Sequence, residues 1–133
     1  MSGEPNSKSF IELFAGVGGF RIALEKAGWN HSWSNQWEPS TKAQHASDCY
    51  VKNFGPAGHS NEDISKIAEL LEIGELQLPK ADLLVGGFPC QDYSVAKSAN
   101  SALGLQGKKG VLWWEILRLT RAIQPRFLLL ENV

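Results

Sequence analysis

Cys90 closes the stretch Asp82-Leu83-Leu84-Val85-Gly86-Gly87-Phe88-Pro89-Cys90-Gln91, an apolar run that breaks on two glycines and a proline. The run reads as a strand buried on both faces. A structural cysteine belongs inside such a strand, whereas a thiol on the turn just beyond it is a candidate nucleophile. The second chemical group is Glu131, which follows the apolar run Phe127 to Leu130. The third is a glycine turn, Ala15-Gly16-Val17-Gly18-Gly19, between the apolar stretch Phe10 to Phe14 and a helical pattern. Such a turn lets a ligand approach the backbone, and the helix start offers free N–H groups.

The elements that position these groups alternate between strand and helix patterns. Phe10–Phe14 is expected as the first strand, followed by a helix with Phe20, Ala23, Leu24 and Ala27 inward. Arg21 and Glu25 then form an i,i+4 pair on the opposite side, and Gly28 is placed as a C-terminal cap. His31–Gln36 alternates like a strand. Pro39 suits the first position of a second helix, with Ala43, Ala46 and Tyr50 facing in. His59–Glu62 is expected as a short third strand, and a helix with Ile64, Ile67, Ala68 and Leu71 on one face follows. Asp63 can cap that helix. Val111–Ile123 is amphipathic, with Leu112, Ile116, Leu119 and Ile123 inward and Glu115, Arg118 and Arg121 outward. Phe127–Leu130 reads as a fifth buried strand. Gln91–Gly110 is a loop of about 20 residues, long enough to mark a lid or binding loop.

This order predicts an α/β fold, a doubly wound, mostly parallel sheet with strands in the order 3-2-1-4-5. The carboxyl ends of the five strands then carry Gly16 and Gly18, Gln36 and Trp37, Asp63, Cys90, and Glu131, all on one sheet edge. Trp37 can stack on an adenine ring there or serve as core, and Asp63 can bind a ligand or simply cap its helix.

The chain has 133 residues with 43% hydrophobic and 20% charged residues, which fits one globular domain. Residues 1–8 are polar and read as a leader, leaving 9–133 as the domain. No apolar run approaches the ~20 residues of a membrane span, no signal peptide is evident, and two cysteines make no disulfide framework or zinc motif. A cytoplasmic protein with free thiols and no metal is expected. The net charge of −1 does not favour general nucleic-acid binding. Lys97, Lys108 and Lys109, however, lie between Asp92 and Glu115 with no acid among them, so the loop after Cys90 is locally basic.

Together, Phe14-Ala15-Gly16-Val17-Gly18-Gly19-Phe20-Arg21, Gly87-Phe88-Pro89-Cys90-Gln91 and Glu131-Asn132-Val133, in that order, resemble the DNA cytosine-5 methyltransferases. The resemblance runs from Ser9 to Val133 and implies a Rossmann-like fold that uses S-adenosyl-L-methionine and releases S-adenosyl-L-homocysteine. It assigns Phe14, Ala15, Gly16, Gly18 and Gly19 to the methionine and backbone contacts. Trp37 falls on the adenine face, Asp63 and Ile64 on its edge, and Gln36 at the ribose hydroxyls, with Pro89 and Leu112 also touching the cofactor. Gln91, Ser94, Lys97, Lys108 and Lys109 fall to double-stranded DNA on a closing loop. Cys90 would add to C6 of a flipped-out cytosine, and Glu131 would share a proton with N3 of the base. The ordinary thiol pKa of ~8.5 leaves little thiolate at neutral pH, so such a site must favour ionisation. A place in a restriction-modification system follows from the same resemblance.

Two departures stand out. Gln36 occupies a position where many members carry glutamate for the ribose, and Glu38, of the same strand parity, is a possible substitute. The family also continues past Glu-Asn-Val with two more strands and a target-recognition domain. The chain is therefore expected to be a truncated or split portion, weakly active alone, with its fifth strand an apolar edge and a second chain as a partner. An RNA cytosine target and a non-catalytic S-adenosylmethionine-binding subunit are the competing readings.

Overall fold

The computed structural model describes residues 8–88 and 111–132. Five parallel strands form one sheet in the order β3-β2-β1-β4-β5. They are β1 (Ser9–Leu13), β2 (Asn30–Asn35), β3 (His59–Ser60), β4 (Leu83–Gly87) and β5 (Phe127–Glu131). The connecting helices are α1 (Gly19–Lys26), α2 (His45–Phe54), α3 (Ile64–Glu72) and α4 (Val111–Ile123). The alternation of elements and the strand order are those expected, and four helices connect the strands, the second starting later than expected. Strand ends differ: β1 stops at Leu13, where Phe14 turns to φ 52, and β3 stops at Ser60 rather than Glu62.

Strand parity sends alternate β1 residues to opposite faces. Ile11 and Leu13 join Leu84, Ile64, Ile67, Ala68, Ile116 and Leu119 in the larger core beneath α3 and α4. Phe10 faces the other way, with Val85, Phe20, Leu24 and Trp29 against α1. Simple alternation fails in β2. Phe10 pairs with His31 but Ile11 with Trp33, a register shift that inserts Ser32. His31 and Ser34 consequently meet on the α1 and α2 side, 3.0 Å apart, while Trp33 packs toward α3 and α4.

Several side-chain orientations correct the periodicity reading. Ala23 and Ala27, expected inward, are exposed, and α1 meets the sheet through Phe20 and Leu24 alone of the four residues expected inward. Arg21 keeps its pair with Glu25 at 2.7 Å, yet its guanidinium turns inward over the Phe54 ring and toward Tyr50. Glu115 is 5% exposed rather than outward, because Arg118 donates to it at 2.8 Å and grips Glu72 of α3 through two bonds of 2.7 Å. β5 is a half-exposed strand: Phe127, Leu128 and Leu129 are 54, 47 and 47% exposed. The expected burial holds best for Leu130, which packs on the larger core.

Burial raises the pKa of Glu115 while Arg118 opposes the rise. Removing the guanidinium strands a buried carboxylate, which costs about 1–3 kcal/mol. Arg118→Ala is therefore expected to lower the urea midpoint clearly, with Glu115→Leu restoring most of it in the double variant.

α2 does not begin at Pro39. The segment 37–44 is closed instead by the Gln44 side chain, which accepts from the Glu38 amide and donates to the carbonyls of Glu38 and Thr41 at 2.8, 2.8 and 3.0 Å. This hydrogen-bonded loop takes the place of a first helical turn and leaves Ala43 exposed. Tyr50 is fully buried as expected, joined on the inner side of α2 by Ser47.

Candidate functional site

The site is built at the carboxyl edge of the sheet, beginning with the turn after β1. Phe14 and Gly16 take left-handed φ values of 52 and 58, so the chain folds back sharply and α1 starts only at Gly19. The turn is held from β2: Ala15 donates its amide to the Asn35 carbonyl at 3.1 Å. Gly16 donates to Oε1 of Gln36 at 2.8 Å. Gln36 therefore spends its acceptor on the turn and keeps its Nε2 as the group with which to meet a ligand. Gly18 donates to the Ala15 carbonyl at 2.9 Å and has φ 98 as the N-cap of α1.

Beside this turn lies a cavity of about 290 Å³ lined by Phe14, Gln36, Trp37, Glu38, Pro39, Ser40 and Gly87. Its size approaches the lower end of small-molecule pockets, roughly 300 Å³. Of the candidate site residues read from sequence, Phe14, Gln36, Trp37 and Glu38 line this space, and Gly16 holds it through its bond to Gln36. Trp37 is half-buried and lines the cavity, outside both core clusters. Glu38 lines the cavity as well, while its Oε1 accepts from the Ala46 amide in the first turn of α2 at 3.2 Å. That bond ties it to a capping role.

Asp63 caps α3, its Oδ1 accepting from the Ser65 amide at 2.9 Å. Ile64 is 4% exposed and its side chain belongs to the core. Leu112 packs against that same core. A ligand can reach Ile64 only through its backbone, in the first turn of α3.

Glu131 ends β5 directly opposite Gly87 of β4. A side-chain carbon at Gly87 would lie 2.8 Å from Glu131 Oε2 and 3.7 Å from the Phe20 ring. The bare backbone of Gly87 thus makes room for the carboxylate and also lines the cavity. Asn132 donates to the Phe88 carbonyl at 3.2 Å, tying the end of β5 to the segment that leads to Cys90. Gly87 and Asn132 stand within quoted motifs, but neither was singled out as a site residue; a glycine at the last strand position before a proline turn was the available signal. Pro89, Cys90, Gln91, Ser94, Lys97, Lys108 and Lys109 lie outside the described residues, as do most of the 1–8 leader and the 91–110 loop. Among the described residues, no group of three or more His, Cys, Asp or Glu side chains is placed to hold a metal ion. No helix among the described residues is long and apolar enough to cross a membrane.

A strand-turn-helix cradle, an aromatic-lined cavity and a carboxylate thus share one edge. Residues 8–133 match the family model for C-5 cytosine-specific DNA methylase. The chain is 55% identical over 131 residues to the type II methyltransferase M.Sau3AI of Staphylococcus aureus, covering 96% of this chain and 31% of that protein. Its identity to M.HhaI of Haemophilus parahaemolyticus is 35% over 126 residues, covering 93% and 33%. A solved E. coli structure, assigned as a prophage-encoded DNA modification methyltransferase, superposes with a TM-score of 0.66 at 28% identity, covering 96% of this chain and 32% of that one. The chain therefore spans about a third of the length of these relatives. With the family model matched across the whole described region, the chain belongs to the C-5 cytosine-specific DNA methylases.

Proposed function

We propose that this chain forms the cofactor-binding and catalytic portion of an enzyme that methylates C5 of cytosine in double-stranded DNA, within a type II restriction-modification system in the cytoplasm. The observation that carries the reading is the position of Glu131 beside Gly87, on the edge where the glycine turn and the Phe14–Gln36–Trp37 cavity lie. The cavity fits S-adenosylmethionine in kind, with an aromatic wall at Trp37 and a donor at Gln36 Nε2. Phe14, Ala15, Gly16, Gly18 and Gly19 would hold its methionine end, with Asp63, the Ile64 backbone, Pro89 and Leu112 toward the adenosine. Bound there, S-adenosylmethionine would supply the methyl group for C5, with S-adenosylhomocysteine as the product.

The rest of the chemistry belongs to the chain. The Cys90 thiolate forms a bond to C6 of the flipped base, and the C5–C6 π pair shifts onto C5, which becomes nucleophilic. Glu131 holds a proton at N3 and so offsets the charge that develops in the ring. After methylation the C5 proton passes to a water molecule, the C5–C6 double bond re-forms from that C–H pair, and the thiolate departs from C6. Gln91, Ser94, Lys97, Lys108 and Lys109 contact the DNA, and the residues that read its sequence come from a further segment or a second chain.

The test is a duplex carrying 5-fluorocytosine, in which the proton-loss step is blocked and the Cys90 adduct accumulates. The chain is incubated with S-adenosylmethionine, alone and with the remaining two thirds of the M.Sau3AI sequence as a second chain. Mass spectrometry is expected to find the adduct at Cys90 in the mixture and none with Cys90→Ser. Glu131→Gln should slow trapping by on the order of 10²-fold, as loss of a single stabilising group does at comparable sites. Cofactor binding with no adduct in any duplex context would overturn the DNA assignment.

A further inference from the structure

Glu12 lies in the middle of β1, directly before the cofactor turn, and is 0% exposed. The chemistry just described does not use it. Its Oε1 accepts from the Tyr50 hydroxyl at 3.1 Å, and that hydroxyl in turn accepts from Arg21 Nη1 at 3.3 Å. Its Oε2 is the one buried side-chain polar atom without a hydrogen-bond partner among the described residues. Arg21 is in the first turn of α1, two residues past Gly19, and is already paired with Glu25 at 2.7 Å. An unpartnered Oε2 is tolerable as part of a neutral acid. As a buried anion it costs far more and must draw in a cation.

Among the described residues, the surroundings supply one cation and several neutral groups. α1 presents Arg21 and, paired to it, Glu25. α2 presents Tyr50, and β4 lays Val85 beside Glu12. β2 and β3 present His31 and His59, bridged by Ser34 at 3.0 and 2.8 Å, with Ser47 on the far nitrogen of His59 at 2.9 Å. Burial pushes His31 down to about 4 and lowers His59 as well, Arg21 adding to both. Burial also raises Tyr50. Burial lifts Glu12 to about 7, against the pull of the Tyr50 hydroxyl and of the Arg21 amide and guanidinium. Above about pH 7, with both histidines lowered and Tyr50 raised, Glu12 is accordingly the group among these that changes charge.

We propose that Glu12 is a positioning residue for the cofactor turn, seating residues 15–19 while neutral and unseating them when it ionises and draws Arg21 from Glu25. This rests on the reading of that turn as the cofactor cradle. The path is short: Arg21 lies in the first turn of α1, and Ile22 beside it donates to the Gly18 carbonyl at 3.0 Å, so a guanidinium pulled toward Oε2 shifts the helix start to which the turn is tied. The sign follows from linkage. Glu12 is raised above its unfolded value, so its contribution to stability is complete below about 4.5 and is lost as pH rises through 7. His31 has the opposite sense: its contribution is present above the ordinary histidine value of ~6.5 and is lost as pH falls toward 4. A loss of binding above pH 7 therefore reports on Glu12 and not on the histidines.

The experiment is calorimetric titration of the chain with S-adenosylhomocysteine from pH 6 to 8. Wild-type affinity is expected to fall roughly tenfold over that range, the limit for one proton lost through a pKa near 7. Glu12→Gln keeps the shape and cannot ionise, so its affinity should stay flat across the range. Tyr50→Phe removes a donor that favours the anion and should move the wild-type midpoint upward. If Glu12→Gln does not fold, the comparison of wild type with Tyr50→Phe decides the matter. A wild-type profile as flat as that of Glu12→Gln, or a midpoint unmoved by Tyr50→Phe, overturns the inference and leaves the cofactor reading standing. A wild type that binds no S-adenosylhomocysteine at any pH overturns the cradle reading and this inference with it.

Discussion

Replacing Gly87 by alanine is expected to lower methyl transfer by on the order of 10²-fold or more while leaving the fold intact. Gly87 does not require a left-handed backbone, so alanine meets no conformational penalty there. The cost is a collision: the new carbon would sit 2.8 Å from Glu131 Oε2. Because β5 pairs with β4 and Glu131 stands opposite Gly87, the strand cannot slide away, and the carboxylate must swing off its position instead. A displacement of about 1 Å in a group that stabilises developing charge costs on the order of 10²-fold in rate. Single-turnover kinetics with the assembled enzyme would show the loss in the chemical step. Thermal melting should differ little from wild type, and S-adenosylhomocysteine affinity should fall only modestly because Gly87 also lines the cavity. An alanine variant of unchanged rate would show that Glu131 is not held where the reaction needs it.

The second large effect falls on stability. Gly18→Ala is expected to destabilise the chain by about 3 kcal/mol, through two costs of about 1–3 kcal/mol each. One is backbone strain, since Gly18 has φ 98 at the N-cap of α1. The other is overpacking, since the added carbon would overlap the edge of the Phe54 ring, with Cζ at 2.9 Å. Phe54 cannot retreat freely: its ring centroid is 4.8 Å from that of Tyr50, and the Arg21 guanidinium lies over it at 4.4 Å. The disturbance should therefore reach the Tyr50–Glu12 bond and loosen the start of α1. Roughly 10 °C would be lost from the melting temperature, given a few degrees per kcal/mol for a domain of this size. Gly19→Ala is the control, because a carbon there meets nothing within 4 Å and its φ is not left-handed. Equal melting temperatures for the two variants would contradict the steric account.

The residues outward on a helical wheel show where pattern reading stops. Arg21 and Glu115 have the periodicity of solvent-facing positions, and both turn inward because a neighbouring element supplies a partner. For Arg21 that element is α2, with Tyr50 and Phe54. For Glu115 it is α3, whose Glu72 anchors the guanidinium of Arg118, the i,i+3 partner of Glu115 on α4 itself. Polar groups are buried when their hydrogen bonds can be met, and a single helix does not reveal what its neighbours offer. Pro39 shows the same limit in a loop: its fixed φ suits a helix start, but the Gln44 side chain closes 37–44 into a turn and delays α2 to His45.

Alternation of apolar strands with amphipathic helices, by itself, determined the parallel sheet, its strand order and the shared edge of Gly16, Gln36, Trp37, Asp63 and Glu131. These are local properties, since side-chain period and connection length dictate which faces are buried and how strands can be joined. Only the tertiary structure decided that Gln36 holds the turn through Gly16, that Gly87 clears the space for Glu131, and that Glu12 lies buried with one oxygen unpaired. Each depends on a contact between residues far apart in the chain, whose distance is set by how the elements pack.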